Sequence, residues 1–97
     1  MIHFEEEFLA WITSKGVGKK DVVASSTVSY ISYLNSVSTL LQEDISPTNV
    51  FDQKCIDRIM AKIGGKRSLS SEAHYRTVLN HYVKMVQQGY HRKQLNQ

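Results

Sequence analysis

The sequence predicts an all-α single domain in which four helices share one core. Three observations carry this. Apolar residues recur at helical spacing in four separate stretches. Glycines, serines and the one proline punctuate the chain between those stretches. Ninety-seven residues with a 41% apolar fraction suffice for one core and not for two.

The first helix is expected over residues 2–14. Phe4, Phe8, Trp11 and Ile12 fall on one stripe, and Glu5, Glu6 and Glu7 stand at its start, where the helix dipole favours negative charge. The stretch "KGVGKK" ends it. The second helix is expected over residues 21–42. Its Val, Thr and Tyr content leans towards strand, but Thr27, Tyr30/Ile31, Leu34, Val37/Ser38 and Leu41 keep helical spacing over four turns, and strict alternation fails. Asp21 or Ser25 is its N-cap.

"EDISPTNVF" is a connection built from turn residues: Asp44, Ser46, Pro47 and Asn49. The third helix, residues 52–63, is capped by Asp52. It buries Cys55/Ile56, Ile59/Met60 and Ile63, and ends at Gly64-Gly65. A basic loop, "GGKRSLSS", leads to the fourth helix, residues 71–88, with Ser70 or Ser71 as its cap and Glu72 in its first turn. Tyr75, Val78/Leu79, Tyr82/Val83 and Val86 are its core side, and Gly89 closes it. The domain is thus expected over residues 1–89, followed by a basic, fraying tail over residues 90–97. The helices need not run parallel, so an orthogonal bundle is expected.

Composition narrows the function classes. The single cysteine excludes an internal disulfide and fits a reducing compartment. No apolar run approaches the roughly 18 residues of a membrane span, and "MIHFEEEF" is acidic where a secretory signal is basic. A cytoplasmic location, in a bacterium or a phage, is the expectation. Charge is unevenly shared. Residues 1–57 hold four Lys/Arg against eight Asp/Glu, a balance of −4; residues 58–97 hold eight Lys/Arg against Glu72 alone, a balance of +7. Such an asymmetry points to a half that faces a polyanion.

Catalytic and metal signatures are absent from the sequence, so no cofactor and no enzymatic activity are expected. His74 and His81 are seven apart on one helix, but no Cys, Asp or Glu joins them at ligand spacing, and zinc takes three or four ligands. Cys55 falls on an apolar helix face and reads as a small hydrophobe. "GVGKK" does not have the spacing of a phosphate-binding loop. Glu43-Asp44 lies in a solvated turn and lacks the sheltered site that acid–base work needs.

Binding of nucleic acid has more support. Lys62, Lys66, Arg67, Arg76, Lys84, Arg92 and Lys93 are phosphate partners in waiting. From Ala73 to Gln88 there is no acidic residue. Arg76 and Asn80, four apart on a helix, project together, and Arg and Asn have the geometry to meet base edges in the major groove. Ser25, Ser26, Ser29 and Tyr33 can add hydroxyl contacts to phosphates. With Lys19, Lys20 and Thr77, the candidate DNA-binding set is Lys19, Lys20, Ser25, Ser26, Ser29, Tyr33, Lys66, Arg67, Arg76, Thr77, Asn80 and Lys84.

The order "FLAWITSKGVG", "SSTVSYISYLNSV", "NVFDQKCIDRIMAKI", "HYRTVLNHYVKMV" resembles the N-terminal core-binding (SAM-like) domain of tyrosine recombinases and phage integrases. Thr27-x-x-Tyr30-x-x-x-Leu34 and Tyr75-Arg76…Leu79-x-x-Tyr82 match that family's pattern, over about residues 4–88. The resemblance implies a SAM-like fold and double-stranded DNA as partner. The family's second and fourth helices lie against the duplex and complete a clamp around it. Carried over, this implicates Ser25, Ser26, Ser29 and Tyr33 on the second helix, and Arg76, Thr77, Asn80 and Lys84 on the fourth. The chain departs from the family in two places. "SKGVGKKDVVA" is longer than the usual turn, and the larger catalytic domain with its Arg, His and Tyr nucleophile is missing. The expectation is therefore either a natural stand-alone protein of a phage or mobile element, or an excised domain. The alternative function is a protein-interaction module. Freed of its catalytic partner, such a domain could regulate a host complex or a parent-like recombinase, its acidic N-terminal half (Glu5, Glu6, Glu7, Glu43, Asp44) facing a basic surface.

Overall fold

The apolar spacing is realised as four helices in chain order: α1, Glu5–Ser14; α2, Ser25–Leu41; α3, Gln53–Ile63; and α4, Leu69–Gln87. The computed structural model describes residues 2–14, 25–66 and 68–89, with the backbone alone for residues 14 and 25–28. Among these residues there is no strand, and no helix is long and apolar enough to cross a membrane. The protein is an all-α four-helix bundle. Its radius of gyration, 12.9 Å, is close to the ~12.5 Å of one compact body of this length.

α4 packs against each of the other three helices, and α2 also packs against α1 and α3. The shared core holds Phe8, Trp11 and Ile12 of α1, Leu34, Val37 and Leu41 of α2, the full stripe of α3, and Tyr75, Val78, Leu79, Tyr82 and Val83 of α4. Fully burying an aliphatic side chain such as Ile56 or Ile59, both 0% exposed, stabilises by about 1.5–3 kcal/mol. Val86 is half-buried against this core, and Met85 beside it is buried outright. Cys55 is buried on the same face of α3 and is a free thiol.

Several boundaries differ from expectation. Residues 2–4 do not belong to the first helix. Ile2 forms a parallel bridge to Ile45, and the His3 amide donates to the Ile45 carbonyl at 2.8 Å. Phe4 has a φ of +59°, which breaks the helical path before α1 begins. The second helix ends at Leu41 because Gln42 turns left-handed, with φ +61°. The Gln42 and Glu43 amides then both donate back to the Ser38 carbonyl, a Schellman-like stop built without glycine. Residues 21–24, the expected start of that helix, lie outside the described residues. Asp52 caps α3 as expected: its Oδ1 accepts from the Cys55 amide at 2.9 Å. The left-handed residue after α3 is Gly65, with φ +83°, rather than Gly64.

The cap of α4 is neither Ser70 nor Ser71 but Ser68, whose Oγ accepts from the Ser71 amide at 3.2 Å. The helix therefore starts two residues earlier than 71, at Leu69. A hydroxyl at the cap must reach the amide three residues on, and Ser68 alone has the extended backbone that allows it. Gly89, φ +71°, closes the helix as expected. The connection over residues 42–52 also carries more core than its turn residues indicate. Ile45 and Val50 are 0% exposed, held by Asn49, whose Oδ1 accepts from the Ser46 amide at 2.9 Å and whose Nδ2 donates to the Asp44 carbonyl.

Candidate nucleic-acid interface

The face of α4 that turns away from the core carries Ala73, Arg76, Thr77 and Lys84, all exposed, and Asn80, half-buried. The 3.6-residue period forces this. With Tyr75, Val78, Leu79 and Tyr82 held inside, residues 73, 76, 77, 80 and 84 fall on the opposite side. Ser68 fixes the start of the helix, and the Glu72 carboxylate accepts from the Gly65 amide at 3.0 Å, tying the helix to the turn that follows α3.

Arg76, Thr77 and Asn80 line one open hollow of about 440 Å³, together with Met60 from α3 and Leu69, Glu72 and Ala73 from α4. The Thr77 hydroxyl donates to the Ala73 carbonyl and the Asn80 amide nitrogen to the Arg76 carbonyl, each at 3.0 Å. These bonds hold both side chains against their own helix. They leave the Asn80 Oδ1 and the lone pairs of the Thr77 hydroxyl to accept from outside. Arg76 reaches across to Asp57 of α3, Nη1 to Oδ1 at 3.5 Å, with both side chains about half exposed or more. Such a pair contributes little on its own, about 0–1 kcal/mol, and a stronger anion can displace it. Leu69, 86% exposed, stands at the mouth of the hollow.

On the other flank, α4 meets α2 through two aromatic stacks. Tyr33 lies flat on His74, with centroids 5.0 Å apart and planes 3° from parallel, and meets Tyr75 edge-on at 6.2 Å. Tyr30 stacks on His81 at 5.5 Å, and Trp11 of α1 approaches the same imidazole at 6.1 Å. The two helices therefore run in opposite senses along this seam. Tyr33 is half-buried in this seam, where its ring packs. The Nδ1 of His81 is buried with no hydrogen-bond partner. Burial, and then the charge of Lys84, lower the affinity of that imidazole for a proton.

The other candidates fall as follows. Lys66 is exposed on the turn after α3. Ser29 is half-buried on α2. Ser25 and Ser26 open α2, with side chains outside the described residues. Lys19, Lys20 and Arg67 also lie outside the described residues. The structure thus gathers Arg76, Thr77 and Asn80 into one hollow and sets Lys84 one turn further along. It also adds Leu69, Met60 and Glu72, which sequence reasoning did not single out. An exposed Leu in the first turn was the available signal for Leu69. Among the described residues, no group of His, Cys, Asp and Glu could hold a metal ion. Comparison with protein-family models, curated proteins and solved structures finds no match to this chain.

Proposed function

We propose that the chain is a non-catalytic, cytoplasmic DNA-binding module of the integrase core-binding (SAM-like) kind, contacting duplex DNA through α2 and α4. One observation carries the reading. The outward stripe of α4 presents Arg76, Thr77, Asn80 and Lys84 side by side, with no carboxylate between residues 73 and 88. Arg76 and Lys84 are the phosphate partners. Asn80 is the candidate base reader, its Nδ2 bonded to the Arg76 carbonyl and its Oδ1 left with acceptor capacity. Across the seam, Tyr33 of α2 packs on His74 of α4, and Ser29 stands half-buried one turn before it on α2.

The test is fluorescence anisotropy with a labelled duplex over a salt series from about 50 to about 200 mM. Affinity should fall steeply with salt. Arg76→Ala and Lys84→Ala should each weaken binding and lower the slope of log affinity against log salt by about 1. Absence of binding at the lowest salt refutes the proposal.

One observation favours a protein-interaction module instead. Leu69 is 86% exposed beside the hollow that Met60 lines, and an apolar side chain so placed suits a protein partner better than a phosphate backbone. A partner captured in stoichiometric amount after nuclease treatment, and lost with Leu69→Ser, would establish that reading over the first.

A further inference from the structure

We infer that His81 is a pH-sensitive wedge at the junction of α1, α2 and α4, joining the three helices when its imidazole is neutral and loosening them when it is protonated. The inference is independent of any DNA contact. It starts from what surrounds the ring. Tyr30 of α2 stacks on one side at 5.5 Å, and Trp11 of α1 stands at 6.1 Å. The Nδ1 edge is buried and meets no acceptor. A neutral ring can carry its hydrogen on Nε2 and leave Nδ1 as a bare lone pair, a tolerable loss. Protonation places a second N–H on Nδ1, and the buried donor then has nothing to bond.

Among the described residues, the groups facing His81 offer no rescue. From α1 the facing group is the neutral indole of Trp11, whose Nε1 donates to Gln88 at 3.2 Å. The carboxylate of Glu7 on that helix acts on Tyr82. From α2 the group is the Tyr30 phenol, which carries no charge in the acid range. From α4 itself the charged neighbour is Lys84, which repels a second cation. Burial and Lys84 lower the affinity for a proton, and the attraction of the neighbouring aromatic rings for an imidazolium acts against them.

The sign follows. With a folded-state pKa below the unfolded value of about 6.5, the unfolded chain binds the proton more readily. Stability is complete above about pH 6.5, declines as pH falls towards the folded pKa, and is level below it. The unfolding constant rises about tenfold for each unit separating the two values.

The test uses the unmutated protein first. The His81 ring resonances are followed by NMR from about pH 8 to about pH 5, the range that spans ordinary imidazole titration. Fluorescence of Trp11, the single tryptophan, reports the same event, because a nearby imidazolium quenches an indole. Urea unfolding is then compared at both ends of the range for the unmutated chain and for His81→Phe, which keeps a ring in the stack but cannot titrate. His81→Gln replaces it should the Phe variant fail to fold. A His81 midpoint below about 6.5, with a larger acid-side loss of unfolding midpoint in the unmutated chain than in the variant, supports the wedge. A His81 midpoint at or above about 6.5 overturns it by itself. Equal acid-side losses in the two chains overturn it as well.

Discussion

Tyr82→Phe deletes a single hydroxyl from the core and leaves the ring where it is. That hydroxyl donates to the His3 carbonyl at 2.7 Å, across 79 positions of sequence, from a side chain that is 0% exposed. The ring keeps its contact with Phe8, centroids 5.5 Å apart, so packing is conserved and the hydrogen bond is isolated. A bond of this kind contributes a net ~0.5–1.5 kcal/mol, and its loss also strands a partly buried carbonyl, so the cost is about 1–2 kcal/mol. For a domain of this size that corresponds to a fall in Tm of about 4–15 °C. Urea unfolding followed by Trp11 fluorescence measures the change, with the m-value expected to stay constant. Hydrogen exchange at the His3 amide, which donates to the Ile45 carbonyl, should accelerate, because the phenol anchors that strand-like segment. A loss below about 0.3 kcal/mol together with unchanged protection of His3 would refute the reasoning, since water would then replace the phenol at no cost.

Arg76→Ala and Lys84→Ala should leave unfolding midpoints nearly unchanged, within about 0–1 kcal/mol, because both side chains are solvent-facing and the Arg76–Asp57 pair is exposed; an unfolded variant would make the residue structural. Gln42→Gly should stabilise by about 0.5–1 kcal/mol in thermal denaturation, because the position has a φ of +61° that glycine adopts without strain. Ser68→Ala should destabilise by about 1 kcal/mol, and Ser70→Ala by much less, which separates the true cap of α4 from its neighbour. The Asp52 carboxyl is held below the usual carboxylate range by the Cys55 amide. Its contribution is therefore present above pH ~4 and lost as pH falls through the folded value, so the acid limb of a pH–stability curve should flatten in Asp52→Asn.

Legibility in the sequence followed the reach of each signal. α3 was readable almost entire, because Cys55, Ile56, Ile59, Met60 and Ile63 repeat on one stripe between an Asp cap and a glycine pair. The clasp of Ile2 on Ile45 left no such trace. Its partners are 43 positions apart, and each sits among polar or turn-forming neighbours, so periodicity assigns Ile2 to a helix and Ile45 to a surface loop. Ser68 was missed because two further serines crowd that loop and only backbone angles choose between Ser68, Ser70 and Ser71. At the candidate site, helical spacing was enough to put Arg76, Thr77 and Asn80 on one face. Which helix lies beside that face was not in the spacing, so the Asp57 partner of Arg76 and the Tyr30–His81 and Tyr33–His74 stacks required the packed structure.

The bonds from Tyr82 to His3 and from Trp11 to Gln88 span 79 and 77 positions. They set an order of events during synthesis. The first 14 residues leave the ribosome long before residues 75–88 exist, at a pace of about 5–20 residues per second. For several seconds Phe8, Trp11 and Ile12 have no α4 to cover them, and the three remain exposed to whatever else in the cell binds apolar surface. A nascent chain stalled before residue 75 should therefore be captured by a chaperone through α1, and the released, folded chain should not.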